Sequence, residues 1–158
     1  MPDGRVYTVS FTAIAVTAAV DIFELTPADD KPIEVIGMFW GQSSDVGDAA
    51  SESLAYRVIR GHTTSGSGGA ATTPRPTNRS DVAAGFACET NNTSAATAGT
   101  TVDLHADAVN IAVGEKLWLP EGCGWGASQG DTTLVVRLGA APADSLTTSG
   151  TLYVVERG

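Results

Sequence analysis

Side chains that change character at every second position most narrow what this chain can become: Tyr7, Val9 and Phe11 alternate with Thr8, Ser10 and Thr12. Only an extended backbone puts every second residue on one face, so the run predicts a β-strand with one buried side. The parity then changes, with Ile14, Val16, Val20 and Ile22 on even positions. That predicts either a bulge near Ala13 or a second strand entered through a bend at Thr17-Ala18-Ala19. Two prolines and paired aspartates in Leu25 to Pro32 mark a turn. Ile33 to Gln42 is a nearly continuous apolar run, short and rich in β-branched and aromatic residues, which predicts a strand buried on both faces. Gly37 and Gly41 within it point to bulges or close backbone approach. Strand character resumes at Leu54 to Arg60, Lys116 to Leu119, Leu134 to Leu138 and Thr151 to Glu156, and more weakly at Ala83 to Thr90, Thr101 to His105 and Val109 to Val113. A helical turn is read at Asp48 to Glu52 and a loop at Gly139 to Gly150.

About eight to ten short strands at this spacing, without an amphipathic helix, predict an all-β fold: a two-sheet antiparallel β-sandwich, jelly-roll-like, in a single domain spanning residues 1–158. No internal repeat of the solenoid or propeller kind is read. Between two strand segments, Gly61 to Ser80 (GHTTSGSGGAATTPRPTNRS) has no apolar period and is too long for an ordinary hairpin connection. It is read as a projecting arm or loop, and residues 1–7 as an N-terminal arm.

The chain has 9 Lys+Arg against 18 Asp+Glu, a formal charge of −9, which repels phosphate backbones and anionic lipid. Nucleic acid and membrane surfaces are therefore not expected partners. Arginine supplies all the basic residues except Lys31 and Lys116, and its planar fork suits ion pairs at interfaces. The apolar stretch Val6 to Val20 is broken by Tyr7, Thr8, Ser10 and Thr12 and reads as strand, not as a signal peptide. Cys88 and Cys123 make no disulfide framework and are read as two small buried apolar side chains.

No catalytic constellation stands out, so the expectation is a protein without enzymatic activity, cofactor or metal. His62 and His105 match no zinc spacing; His105-Ala106-Asp107 could place two ligands on one strand face, but a hydrogen-bonded structural histidine fits better. The acidic loop Asp45 to Asp48 with Glu52 lacks the ordered ligand pattern of a calcium loop. Gly122-Cys123-Gly124-Trp125-Gly126 has no histidine beside it in sequence and reads as a tight loop around Trp125. Of the three tryptophans, Trp40 and Trp118 fall in apolar strands and are read as core. Trp125 has the loop setting of a sugar-binding platform, which gives an alternative: a carbohydrate-binding or receptor-binding β-sandwich module.

Read end to end, the segments RVYTVSF (Arg5 to Phe11), LTPADDKP (Leu25 to Pro32), GQSSDVGDA (Gly41 to Ala49), RGHTTSGSGG (Arg60 to Gly69), LWLP (Leu117 to Pro120) and APADSLTTSGTLYVVE (Ala141 to Glu156) resemble a small structural protein of tailed-bacteriophage heads, of the decoration or cement type. The resemblance implies a jelly-roll-like sandwich on the outer capsid surface of the virion, made in the host cytoplasm without a signal peptide. Its partners would be the major capsid protein and further copies of itself, as a homodimer or homotrimer. It supplies no catalytic residue. On this reading the N-terminal residues Arg5, Val6 and Tyr7 and the group Arg57, Arg60, His62, Arg75 and Arg79 around the long arm are the expected partner interface.

Overall fold

The computed structural model describes residues 4–18, 20–43, 52–131 and 133–158. Its strands form two antiparallel sheets. The front sheet contains β1 (Arg5–Val16), β3 (Ile33–Gln42), β6 (Arg75–Pro76), β9 (Glu115–Trp118), β10 (Trp125–Ala127) and β12 (Leu146–Glu156). Its order is β10-β3-β12-β1-β6, with β9 on the same edge of β3 as it continues past β10. The back sheet contains β2 (Asp21–Thr26), β4 (Ser53–His62), β5 (Ala70–Ala71), β7 (Ala87–Asn92), β8 (Val102–Asn110) and β11 (Thr133–Leu138), ordered β5-β7-β2-β11-β4-β8. From β1 to β4 the chain changes sheet at every step, and from β8 to β12 it does so again each time it passes from one strand group to the next. This is the wrapping of a jelly roll. The segment from residue 61 to residue 100 is an insertion between two adjacent back strands, β4 and β8.

The period-two reading of the first strand holds at atomic detail. Tyr7, Val9 and Phe11 point into the core opposite Val154, Leu152 and Gly150 of β12. Between Phe11 and Ile14 the register slips, Ala13 takes a φ of 54°, and its N–H donates to Ser149 Oγ at 2.9 Å. The change of parity is therefore a bulge within one strand, with the bend following at Thr17-Ala18. Across the sandwich, Phe11 meets Phe23 of β2 with ring centroids 5.2 Å apart. Leu134, Val136 and Leu138 of β11 line the same core. Each such aliphatic side chain removed from water contributes about 1.5–3 kcal/mol.

The structure revises the sequence reading in places. The presumed loop Gly139 to Gly150 yields strand from Leu146 onward. Thr147, Thr148, Ser149 and Gly150 carry no apolar signal, yet β12 is paired on both sides, by β1 and β3. Thr101 to His105, from Val102 on, and only the first two residues of Val109 to Val113 fall in the single strand β8, Ile111 to Val113 forming a turn, and the loop around Trp125 contributes β10. Strand β3 is buried on one face only, since Glu34, Ile36 and Phe39 are half-exposed. Asp48 to Glu52 falls almost wholly outside the described residues.

Candidate functional site

The long Gly/Ser/Thr/Pro stretch does not project. Thr64 exchanges both backbone hydrogen bonds with Thr97, Ser67 does the same with Ser94, β5 pairs with β7, and β6 pairs with β1. Residues 61–76 thus run as a strap from the back sheet to the edge of the front sheet. Buried acids hold it down from β2. Glu24 accepts from Ser65 Oγ at 2.6 Å, Gly66 N at 2.9 Å and Asn92 Nδ2 at 2.8 Å. Asp21 accepts from Ala96 N at 2.7 Å and pairs with Arg137 of β11 through two bonds. Ala96 closes a small apolar cluster with Ile59 and Val135 on the outer side of the back sheet. That side is therefore covered by the chain itself around Ile59 and Val135, whereas Ala55, Arg57 and most of β8 stay exposed; on the outer side of the front sheet Val155 is buried and Trp118 is open to solvent.

The expected interface residues separate accordingly. Arg5 and Val6 lie in β1 beside β6, where Tyr7 and Thr8 pair with Pro76 and Arg75, and Thr77 N donates to Val6 O at 2.9 Å. Arg75 and Arg79 are exposed on this same edge, as is Val82, 55% accessible. Tyr7 is not a surface residue. Its side chain is fully buried, edge-on to Phe86, its hydroxyl donates to Val82 O at 3.1 Å, and burial, then Glu156, raises its pKa. The expected N-terminal arm is thus strand from Arg5 onward, and residues 1–3 lie outside the described residues.

Arg57, Arg60 and His62 belong to β4 in the other sheet and already have partners. Arg57 bonds Asp103 at 3.1 Å, Arg60 bonds Gly126 O and lies 3.6 Å from Asp131, and buried His62 donates from Nδ1 to Ala98 O. Lys31, Arg137 and Arg157 are likewise paired, with Glu156, Asp21 and Glu34. Among the described residues, the cations without an ion pair are Arg5, Arg75, Arg79 and Lys116, and all four belong to strands of the front sheet or the turn beside them.

The register sets out the bare front face in rows. Trp118, Gly37, Tyr153, Thr8 and Arg75 cross the sheet in one row, and Lys116, Phe39, Thr151 and Ser10 in the next. Trp118 is 56% exposed yet fixed in place. Its indole lies over Gly37, where a Cβ would come within 2.6 Å of the ring, so only glycine admits this packing. The indole also contacts Tyr153 at a centroid distance of 4.7 Å and Phe39 at 5.2 Å. Beside these rings is a groove of about 400 Å³ whose lining includes Ser10, Thr12, Gln42, Ser149 and Lys116. The sequence reading of these two tryptophans is thereby exchanged in burial: Trp118 is the exposed ring, and Trp125, 5% exposed, packs inside against the His105 ring. Trp40 is core, as expected.

His105 is a hydrogen-bonded histidine, with Nε2 3.4 Å from the Tyr56 hydroxyl and 3.9 Å from Asp107. Burial, then Glu115, pushes the Tyr56 hydroxyl well above the usual tyrosine range. No group of three or more His, Cys, Asp or Glu among the described residues is placed to hold a metal ion. Asp45 and Asp48 lie outside the described residues, and Glu52 accepts from Ala143 N. Both cysteines are free. Cys88 is buried, and burial raises its thiol pKa; Cys123, contrary to expectation, is exposed, on the turn after Pro120. No helix among the described residues is long and apolar enough to cross a membrane. No known family model, curated protein or solved structure matches the chain.

Proposed function

We propose that this chain is a non-enzymatic virion structural protein of the decoration or cement type, which binds the outside of a tailed-phage capsid and bridges neighbouring capsomers. The segments that resemble such proteins motivate the reading, and one structural observation supports it: in an acidic chain, Arg5, Arg75 and Arg79 stand without ion pairs along the β1–β6 edge, next to exposed Val82. Arginines flanking an apolar residue have the composition of an interface anchor, and their charge fits an acidic capsid surface. The rigidity of the site follows from its attachment. Strand β6 is fastened to β1 and the strap behind it to buried Glu24, so docking costs little ordering entropy. A protein that binds only the assembled lattice stabilises it by mass action, and a homodimer or homotrimer touching several subunits gains avidity from weak contacts.

Co-sedimentation with expanded shells tests this. The double variant Arg75→Glu/Arg79→Glu should bind about tenfold more weakly or worse, because like charges then face each other. Arg57→Glu, on the other sheet and already paired, should bind as the parent does. Equal binding by all three proteins would remove the β1–β6 edge from the account.

A further inference from the structure

We propose that the front face is also a saccharide-binding site, with Trp118 as the stacking platform for a pyranose ring. Trp118 lies at the β9 edge of this face and the docking residues at the opposite, β1–β6 edge, so the site does not depend on the docking proposal. The axial C–H groups of a pyranose form an apolar patch of weakly positive hydrogens, which complements the negative face of an aromatic ring. Such stacking requires a ring that is both accessible and held, and Trp118 is both. Gly37 beneath it leaves no room for rotation towards the sheet, and Phe39 meets it edge-on at an interplanar angle of 73°. Tyr153 continues the platform at 46° to the indole.

The surroundings suit a hydroxylated ligand better than an apolar protein surface. The row next to the rings carries Thr151 and Ser10, whose hydroxyls are 2.8 Å apart, with Lys116 at its outer end. The adjoining groove of about 400 Å³ falls within the range of ligand sites, and Gln42 and Ser149 add an amide and a hydroxyl to it. Aromatic faces set among hydroxyl, amide and ammonium groups supply both what a sugar ring stacks on and what its hydroxyls bond to. Nothing else in the described chain combines these features, since Trp40 and Trp125 are only 4% and 5% exposed.

Because the other two tryptophans are buried away from this face, a ligand-induced change in intrinsic fluorescence reports on Trp118. Titration with cellohexaose, chitohexaose, mannohexaose and oligogalacturonate should give a saturable change with at least one of them. Trp118→Ala should abolish that response, Trp118→Phe should retain binding by calorimetry, and Arg75→Glu/Arg79→Glu should leave it unaltered. Far-UV circular dichroism identical to the parent would show that the Trp118→Ala protein is folded. Absence of a saturable response to all four oligosaccharides, or a response that survives Trp118→Ala, would overturn the proposal. Loss of shell binding in Trp118→Ala without any saccharide response would reassign the rings to protein docking.

Discussion

At the scale of single residues, the buried acids of β2 do more structural work than their position in a short strand announces. Asp21 is fully buried, meets the Arg137 guanidinium with both carboxylate oxygens, and takes the Ala96 N–H as well. Removing one partner of such a pair leaves the other charge buried without compensation. Asp21→Ala should therefore destabilise the protein by about 3–5 kcal/mol in urea unfolding, whereas the double change Asp21→Val/Arg137→Met should recover most of that loss. Equal destabilisation by the single and double variants would show that the pair is not coupled. The alternation of Tyr7, Val9 and Phe11 was legible because inward and outward residues differ in polarity. Asp21 and Glu24 were not, because a buried carboxylate and a solvated one are the same letter, and only their distant partners tell them apart.

At the scale of elements, the insertion contains a short repeat that its letters conceal. Gly61 and Asn91 both adopt left-handed φ, at 98° and 57°, and Gly68 and Ala98 do so again at 85° and 57°; each second residue lies thirty positions after its equivalent (61 and 91, 68 and 98). The loops from His62 to Gly69 and from Asn92 to Gly99 pair with each other antiparallel, and each hands a mid-loop N–H to a buried acid: Gly66 to Glu24, Ala96 to Asp21. Identities are limited to Thr63 with Thr93 and Gly69 with Gly99, the rest being one small or polar residue for another. A scan for apolar period cannot see a motif built from backbone conformation. The same limit explains why the stretch read as a free arm: its hydrogen bonds are made by main chain and by acids far off in sequence. Deleting residues 64–68 should strip Glu24 of two donors and the second loop of its partner, at about 1–3 kcal/mol for each buried group left unsatisfied. Calorimetry should show a fall in Tm of roughly 6–12 °C. A free arm would instead be removed with no change in Tm.

At the scale of the whole molecule, the sandwich has two unlike sides, and this asymmetry underlies both proposals. Part of one side is overlaid by the insertion, and the other displays a pinned aromatic cluster, with Arg75 and Lys116 at the two ends of its rows. All-β architecture was readable in short strands and turn chemistry, because those features are local. Which side stays bare depends on where residues 61–100 come to rest, which is set by pairing across the chain. The expected cluster of arginines illustrates this. Arg57 and Arg75 are near in sequence, but β4 and β6 lie in different sheets, so only Arg5, Arg75 and Arg79 share an edge.

Cryo-electron microscopy of expanded shells carrying the protein tests the docking account most directly. The account predicts added density on the outer shell surface that fits this sandwich, with Arg5, Arg75 and Arg79 within about 4 Å of capsid carboxylates. Shells without outer density, or a sandwich seated through its overlaid back side with the β1–β6 edge facing solvent, would contradict it.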